Sequence, residues 1–482
     1  MEPRSPGILP LAAGILLAGI GLMASCLNPD QTSHSPEDPS QPNVVLILAD
    51  DMGYGDAGAF NAGSAIATPA IDTLAGEGLR FTDAHSPGAW CVPSRYGLLT
   101  GQAPWRVGRF HPDRGPVLGE DLLTLPGLLK ERGYRTAMVG KWHLGFEGGP
   151  ATAGEDKLGG PLDRGFDLFY GIHASLDIPP YYYIDGRTPV APPSGKVEAR
   201  STEGWTPIQG EFWRAGDCAP GFVHAEVLPR FTERAVHWIE ELAGDEAPFF
   251  LYLALASPHT PWFSSGRHDT GAGLYGAFVA DTDAAIGEVL AALEREGVAR
   301  STLVIVTSDN GPVWYPDDVE RFGHSATGPY RGMKSDGYEG GHRMPFIARW
   351  PGRIPAGTET SRLTTFTDIL PTLAELSGDP VAGTDGESFV TTLLDPAGQV
   401  QGERALVLKA NASVVREGSW KLVNHLGSGG FTRPRKVEPE PGGPTVQLYD
   451  LASDPGETTN LWAEHPEMVE RLLAIRAEQT GR

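Results

Sequence analysis

Asn43-Val44-Val45-Leu46-Ile47-Leu48-Ala49-Asp50-Asp51 runs from an unbroken apolar stretch straight into two carboxylates. A short run rich in β-branched residues, with no polar alternation, reads as a strand covered on both faces, as strands of parallel sheets are. Similar runs recur at residues 136–139, 249–256, 303–307 and 346–349. Between them, residues 121–132, 226–243, 275–296 and 364–376 place apolar side chains three and four apart, the helical spacing. Strands alternating with helices predict an α/β fold, a mostly parallel sheet flanked by helices.

The residues that follow each run carry the chemistry. The first strand ends in Asp50-Asp51, the second leads to Lys141 and His143, the third to His259 and the fourth to Asp309-Asn310. Open α/β sheets bind ligands beyond the carboxyl ends of their strands, so these groups are expected to meet in one crevice. Asp50, Asp51, Asp309 and Asn310 are hard oxygen donors suited to Ca²⁺ or Mg²⁺. Adjacent buried carboxylates repel one another unless a cation lies between them. An isolated Asp-Asp pair reads equally well as a solvated turn, but this pair has Ser308-Asp309-Asn310-Gly311 as its counterpart.

A second stretch, Cys91-Val92-Pro93-Ser94-Arg95-Tyr96-Gly97-Leu98-Leu99-Thr100-Gly101, opens a helix. Pro93 presets its first turn, the free N–H groups there attract an anion, and Arg95 adds a planar cation suited to a tetrahedral oxyanion. A bare Cys-x-Pro-x-Arg is also compatible with a buried structural cysteine.

The chain has 482 residues, 40% of them hydrophobic, and a formal charge of −23. So acidic a surface repels polyanions, which argues against nucleic acid as a partner. An anionic substrate therefore needs a locally positive pocket, and two of the eight lysines, Lys141 and Lys334, fall inside motifs. Arg4, an apolar run over 8–24 and Met23-Ala24-Ser25-Cys26 resemble a bacterial lipoprotein signal, which implies a signal peptide at 1–25 and lipidation of Cys26. That predicts export to the periplasm or cell surface, with the membrane touched only through the lipid anchor. An uncleaved transmembrane anchor is the competing reading. Residues 26–42 read as a flexible tether, 43–385 as the catalytic domain and 386–482 as a smaller domain. In the last of these, strand-like runs at 405–409, 413–416, 421–424 and 446–449 and a helix near 466–477 predict an antiparallel sheet with a terminal helix, with 426–445 a long loop. Cys218 is expected to be a buried small hydrophobe, and no disulfide is expected.

Taken in order, the motifs resemble the sulfatase family, of the formylglycine-dependent arylsulfatase type within the alkaline-phosphatase-like superfamily. They are residues 43–56, the Cys91 run, Gly140-Lys141-Trp142-His143-Leu144-Gly145, Ser257-Pro258-His259-Thr260-Pro261, residues 307–311, Gly332-Met333-Lys334 with Gly340-Gly341, and Leu448-Tyr449-Asp450-Leu451. The resemblance implies that a maturase oxidises Cys91 to formylglycine (3-oxoalanine), whose hydrate attacks sulfur. It also implies a divalent cation, usually Ca²⁺, on Asp50, Asp51, Asp309, Asn310 and the modified Cys91. Arg95, Lys141 and Lys334 would spread sulfuryl charge, His259 would assist the leaving group, and His143 would help expel sulfate. Ser175 is the candidate for a further sulfate contact, with His173 competing for that role. The implied substrate is a sulfate ester, small or oligosaccharide. A phosphonate or phosphate ester hydrolase with the same modified Cys, and an inactive protein binding sulfated glycans, are the alternatives. Tyr181, Tyr182, Tyr183, Trp205, Trp213, Trp262 and Trp314 are candidates for stacking on sugar rings or for loop packing.

Overall fold

The computed structural model describes residues 41–149, 156–268, 270–398, 404–411 and 413–481, and the opening run is the strand Asn43–Asp50 in the middle of a ten-stranded sheet. It pairs in parallel with Thr302–Ser308 on one side and Phe249–Pro258 on the other. Arg135–Lys141 and then Leu168–Ile172 continue the parallel part. Burial on both faces explains the lack of alternation. Val45, Ile47 and Ala49 join one core with Phe231 and Ile239 of helix Val227–Leu242 and Phe278 and Ile286 of helix Gly273–Arg295. Val44, Leu46 and Leu48 join the other, with Leu98 and Leu99 of helix Cys91–Thr100 and Leu370 and Leu373 of helix Ile369–Ser377. Each buried Val, Leu or Ile among these contributes roughly 1.5–3 kcal/mol, so the strand is pinned from two sides.

The strand at Phe346–Arg349 runs antiparallel to Thr302–Ser308, and Leu79–Phe81 and Thr358–Thr360 extend that edge, so the sheet is mixed there. The strand Leu168–Ile172 is absent from the sequence expectations because Gly171, a weak strand former, interrupts its apolar pattern. Glycine is required there, since a Cβ would stand 1.9 Å from the Gly140 carbonyl oxygen. The helix expected over 364–376 starts only at Ile369, because Thr364–Thr365 pairs as a strand with Ala84–His85 first. The helix expected over 121–132 shortens to Leu125–Glu131, where the Thr124 hydroxyl accepts the Gly127 N–H as an N-cap.

Ala405–Lys409, Ser413–Glu417, Trp420–Val423 and Gln447–Asp450 form an antiparallel sheet in that order. Its Val415, Leu422 and Leu448 pack on Val469 and Leu472 of helix Pro466–Thr480, while Leu406, Leu408, Val414 and Val423 face Tyr338 and Leu363. The small sheet is thus sandwiched between its own helix and the larger body. The described residues from 41 onward belong to one compact unit. Among them no helix is long and apolar enough to cross a membrane. The signal peptide, Cys26 and nearly all of the expected tether lie outside the described residues. Cys218 departs from expectation: it is only half-buried, because its strand Gly216–Cys218 pairs in a two-stranded ribbon with Gly195–Val197.

Candidate active site

The strand ends meet. Asp50 and Lys141 are the last residues of neighbouring-region strands, Asp309 and Asn310 follow Ser308, and His259 follows Pro258. Turning the chain sharply at these points requires unusual backbone. Asp51 and His143 take positive φ, 63° and 56°, as does Ser335 after Lys334 at 71°. Such residues cost roughly 1–3 kcal/mol each and persist where packing enforces them. Gly140, with φ 119°, lets the strand bend before Lys141, and a Cβ there would lie 1.8 Å from the Ala254 carbonyl oxygen.

Cations and carboxylates interlock below the surface. Lys141 Nζ lies 2.5 Å from Asp50 Oδ2, and Lys334 Nζ lies 2.6 Å from Asp51 Oδ1. Arg95 donates from Nε and Nη2 to Asp309 Oδ2 at 3.0 and 2.8 Å, and from Nη1 to the Lys141 carbonyl at 3.0 Å. Asn310 Nδ2 donates to Asp51 Oδ1 at 2.6 Å, and His259 Nε2 lies 3.6 Å from Asp51 Oδ2. Burial alone would push the Asp50 carboxyl up, but Lys141, His259, Arg95 and Lys334 outweigh it and hold the group well below the usual carboxylate range. Burial and the neighbouring Asp50 raise Asp309 to about 6, against the pull of Arg95. Burial, then Lys141 and Arg95, push His143 far down, so its imidazole is neutral at physiological pH. Burial raises the Cys91 thiol.

Two buried oxygens, Asp50 Oδ1 and Asn310 Oδ1, have no hydrogen-bond partner. Unpartnered buried acceptors are costly. Asp50, Asp51 and His259 also bring possible ligand atoms within 4.8 Å of one another. The donor set therefore fits a hard divalent cation.

A cavity of about 200 Å³ opens over this cluster, and Asp51, Cys91, His143, Ser175, His259 and Lys334 line it. Cys91 reaches it as the first residue of its helix. Asp50, Arg95, Lys141, Asp309 and Asn310 are fully buried and stand behind this wall. Arg95 in particular has Asp309 and a carbonyl as its immediate partners. Of the two candidates for an extra sulfate contact, Ser175 is in the wall. The His173 Nε2 is 2.9 Å from the Pro180 carbonyl, and its ring stacks on Tyr182. Among the aromatics, Trp262 lines the cavity, while Trp205 packs on Trp262 and Trp314, and Trp213 stacks on His224. Sequence reasoning missed Asp177, Arg214 and Phe431, which also line the cavity. Asp177 was within reach of it, two residues after Ser175. Arg214 and Phe431 come from irregular segments with no periodic signal.

Carboxylates and lysines from the strand ends gather beside a helix-borne cysteine, an arrangement suited to an anionic ester. The family described as Sulfatase matches residues 42–378, and the chain belongs to it: this is a sulfuric ester hydrolase. It is 32% identical over 507 residues to an N-acetylgalactosamine-6-O-sulfatase of Bacteroides thetaiotaomicron, covering 95% of this chain and 97% of that one. Human arylsulfatase A is 34% identical over 449 residues, covering 87% of this chain and 83% of the relative. A solved sulfatase structure, from work on the metabolism of multiple glycosaminoglycans by Bacteroides thetaiotaomicron, superposes with a TM-score of 0.79 at 29% identity. It covers 92% of this chain and 100% of its own.

Proposed function

We propose that this sulfatase removes sulfate from carbohydrates, using an aldehyde hydrate made from Cys91 and a divalent cation held by Asp50, Asp51, Asp309 and Asn310. The position of Cys91 carries the reading. It lines the cavity beside His143, His259 and Lys334, yet burial raises its thiol, so the unmodified side chain stays protonated and weakly nucleophilic. The hydrate supplies an oxygen nucleophile in its place, and a bound cation favours the deprotonated form of that oxygen. Lys334 in the wall and Lys141 behind it are each paired with a carboxylate. The positive potential that draws in a sulfate therefore comes from these lysines together with the divalent cation that offsets Asp50 and Asp51. His259 Nδ1–H donates to the Thr260 carbonyl oxygen at 2.6 Å, so in the imidazolium form the second proton sits on Nε2, on the cavity side, for delivery to the departing oxygen. Neutral His143 accepts a proton beside Cys91. Arg95 acts through Asp309, which it clamps.

The carbohydrate reading draws on the named activity of the 32% identical Bacteroides relative. Maturation of Cys91 by a formylglycine-generating enzyme, and export as a lipoprotein anchored at Cys26, belong to the same proposal. The test is sulfate release from defined sulfated saccharides, with mass spectrometry of the Cys91 peptide. Release should accompany replacement of CH₂SH by CHO. An unmodified thiol in fully active protein would overturn the nucleophile, and faster turnover of matched phosphate esters would overturn the substrate class.

A further inference from the structure

We propose that Asp177 and Arg214 form a subsite that reads a hydroxyl of the sulfated sugar and so sets preference for a carbohydrate over an aryl ester. The proposal rests on the carbohydrate reading above. After the strand Leu168–Ile172 the chain turns, with the Ile178 N–H donating to the Ser175 carbonyl at 3.0 Å. Ser175 and Asp177 both reach the cavity wall, while Leu176 between them enters the core. The turn that presents the candidate sulfate contact thus presents a carboxylate beside it.

The Asp177 side chain is only 9% exposed. Its Oδ2 accepts from Arg214 Nη1, but its Oδ1 is buried with no hydrogen-bond partner. A buried carboxylate oxygen left unpaired is costly, a cost that a ligand donor removes. Arg214 is held in place by its own backbone: its N–H donates to the Asp177 carbonyl at 3.2 Å, and its carbonyl accepts the Tyr181 hydroxyl at 2.7 Å. The guanidinium is half-exposed and lines the cavity, and its Nε and Nη2 carry N–H donors beyond the bonded Nη1. A carboxylate acceptor beside a guanidinium donor matches a hydroxyl, which both donates and accepts. A bare aryl ring does neither. The pair is also neutral overall, so it adds no net repulsion toward the sulfate. Neither residue bonds to the buried acid–base cluster, so the chemistry at sulfur leaves this pair without another task.

The test compares wild type, Asp177→Asn and Arg214→Gln on N-acetylgalactosamine 6-sulfate and on 4-nitrophenyl sulfate. The ratio of kcat/KM for the sugar to kcat/KM for the aryl ester should fall about 10- to 100-fold in each variant, the value of one charged hydrogen bond to a substrate hydroxyl. A purely structural role would lower both activities together and leave the ratio alone. That result, with wild type active on the sugar, overturns the proposal while sparing the carbohydrate reading. If thermal melting shows Asp177→Asn unfolded, the half-exposed Arg214→Gln decides on its own. A wild type that cleaves the aryl ester but no member of a panel of sulfated monosaccharides would overturn the carbohydrate reading and this subsite with it.

Discussion

Arg95 grips Asp309 through two donors on one carboxylate oxygen, and both side chains are fully buried. The same guanidinium reaches the Lys141 carbonyl, so one side chain ties the helix that carries Cys91 to two strand ends. This fork has a geometry that lysine cannot copy.

Arg95→Ala should therefore abolish turnover and destabilise the fold by about 3–5 kcal/mol, since it strands a buried carboxylate. Arg95→Lys should recover part of the stability and little of the activity. Urea unfolding and sulfate release on both variants check this. Equal activity in Arg95→Lys and wild type would refute the need for a fork.

Chelation should abolish activity, and Ca²⁺ or Mg²⁺ should restore it, because Asp50 Oδ1 and Asn310 Oδ1 are buried acceptors without a hydrogen-bond partner. The cation should also raise the melting temperature, since it binds the folded state alone. Asp309→Asn should remove that cation-dependent rise. Unimpaired turnover in rigorously metal-free protein would refute the assignment.

A second buried charge cluster joins the small sheet to the catalytic body. Lys421 Nζ lies 3.0 Å from Glu339 Oε1 and 2.7 Å from Glu457 Oε1, with all three side chains at 0% exposure. Burial and then repulsion from Glu339 raise Glu457 to about 7, against the opposing pull of Lys421. Lys421→Met leaves two facing carboxylates without their shared cation and should destabilise by about 3–5 kcal/mol. The loss should be smaller at pH 5 than at pH 8, because protonation can then neutralise Glu457. A loss independent of pH would show that Lys421 acts through packing alone.

Much of this architecture is legible in the chain, for a physical reason. Parallel strands buried on both faces write themselves as uninterrupted apolar runs, and such strands expose chemistry only at their carboxyl ends, so Asp50, Lys141, His259 and Asp309 stand out. The strand at Leu168–Ile172 escaped because Gly171 answers to a close backbone approach and not to strand propensity. Asp177, Arg214 and Phe431 escaped because loop residues become neighbours only through tertiary folding. The direction of Phe346–Arg349 was not readable either, since an apolar run carries no sign of which way its partner points.

Buried neutral histidines set the acid limit of stability. Burial lowers His173 and His224 to about 4, and His85 and His342 are also pushed down. In the unfolded chain these groups bind protons near pH 6.5, so below that pH the unfolded state takes up more protons and stability falls. Asp283 and Asp309, raised chiefly by burial to about 6, Glu457, raised to about 7, and Asp336, also pushed up by burial, work the opposite way above about pH 4. With His143 and His425, likewise pushed down by burial, the histidines outnumber these carboxylates. The melting temperature should drop as pH falls from 6.5 to 4, and His224→Gln should flatten the slope. An unchanged slope in that variant would remove His224 from the account.

His259 is the residue whose role depends on the leaving group. Its Nδ1–H donates to the Thr260 carbonyl oxygen, so proton delivery falls to the Nε2–H of the imidazolium form, and Nε2 stands 3.6 Å from Asp51 Oδ2 at the cavity. Sugar alkoxides are poor leaving groups and need that proton, whereas nitrophenolate departs with little help. His259→Ala should depress hydrolysis of a sugar sulfate far more than that of nitrophenyl sulfate. The difference should sit in kcat more than in KM, since the interaction strengthens in the transition state. Asp177→Asn differs from this pattern, because a hydroxyl contact present in the bound sugar also shifts KM. Equal losses on the two substrates in His259→Ala would move His259 from proton donor to sulfate binder.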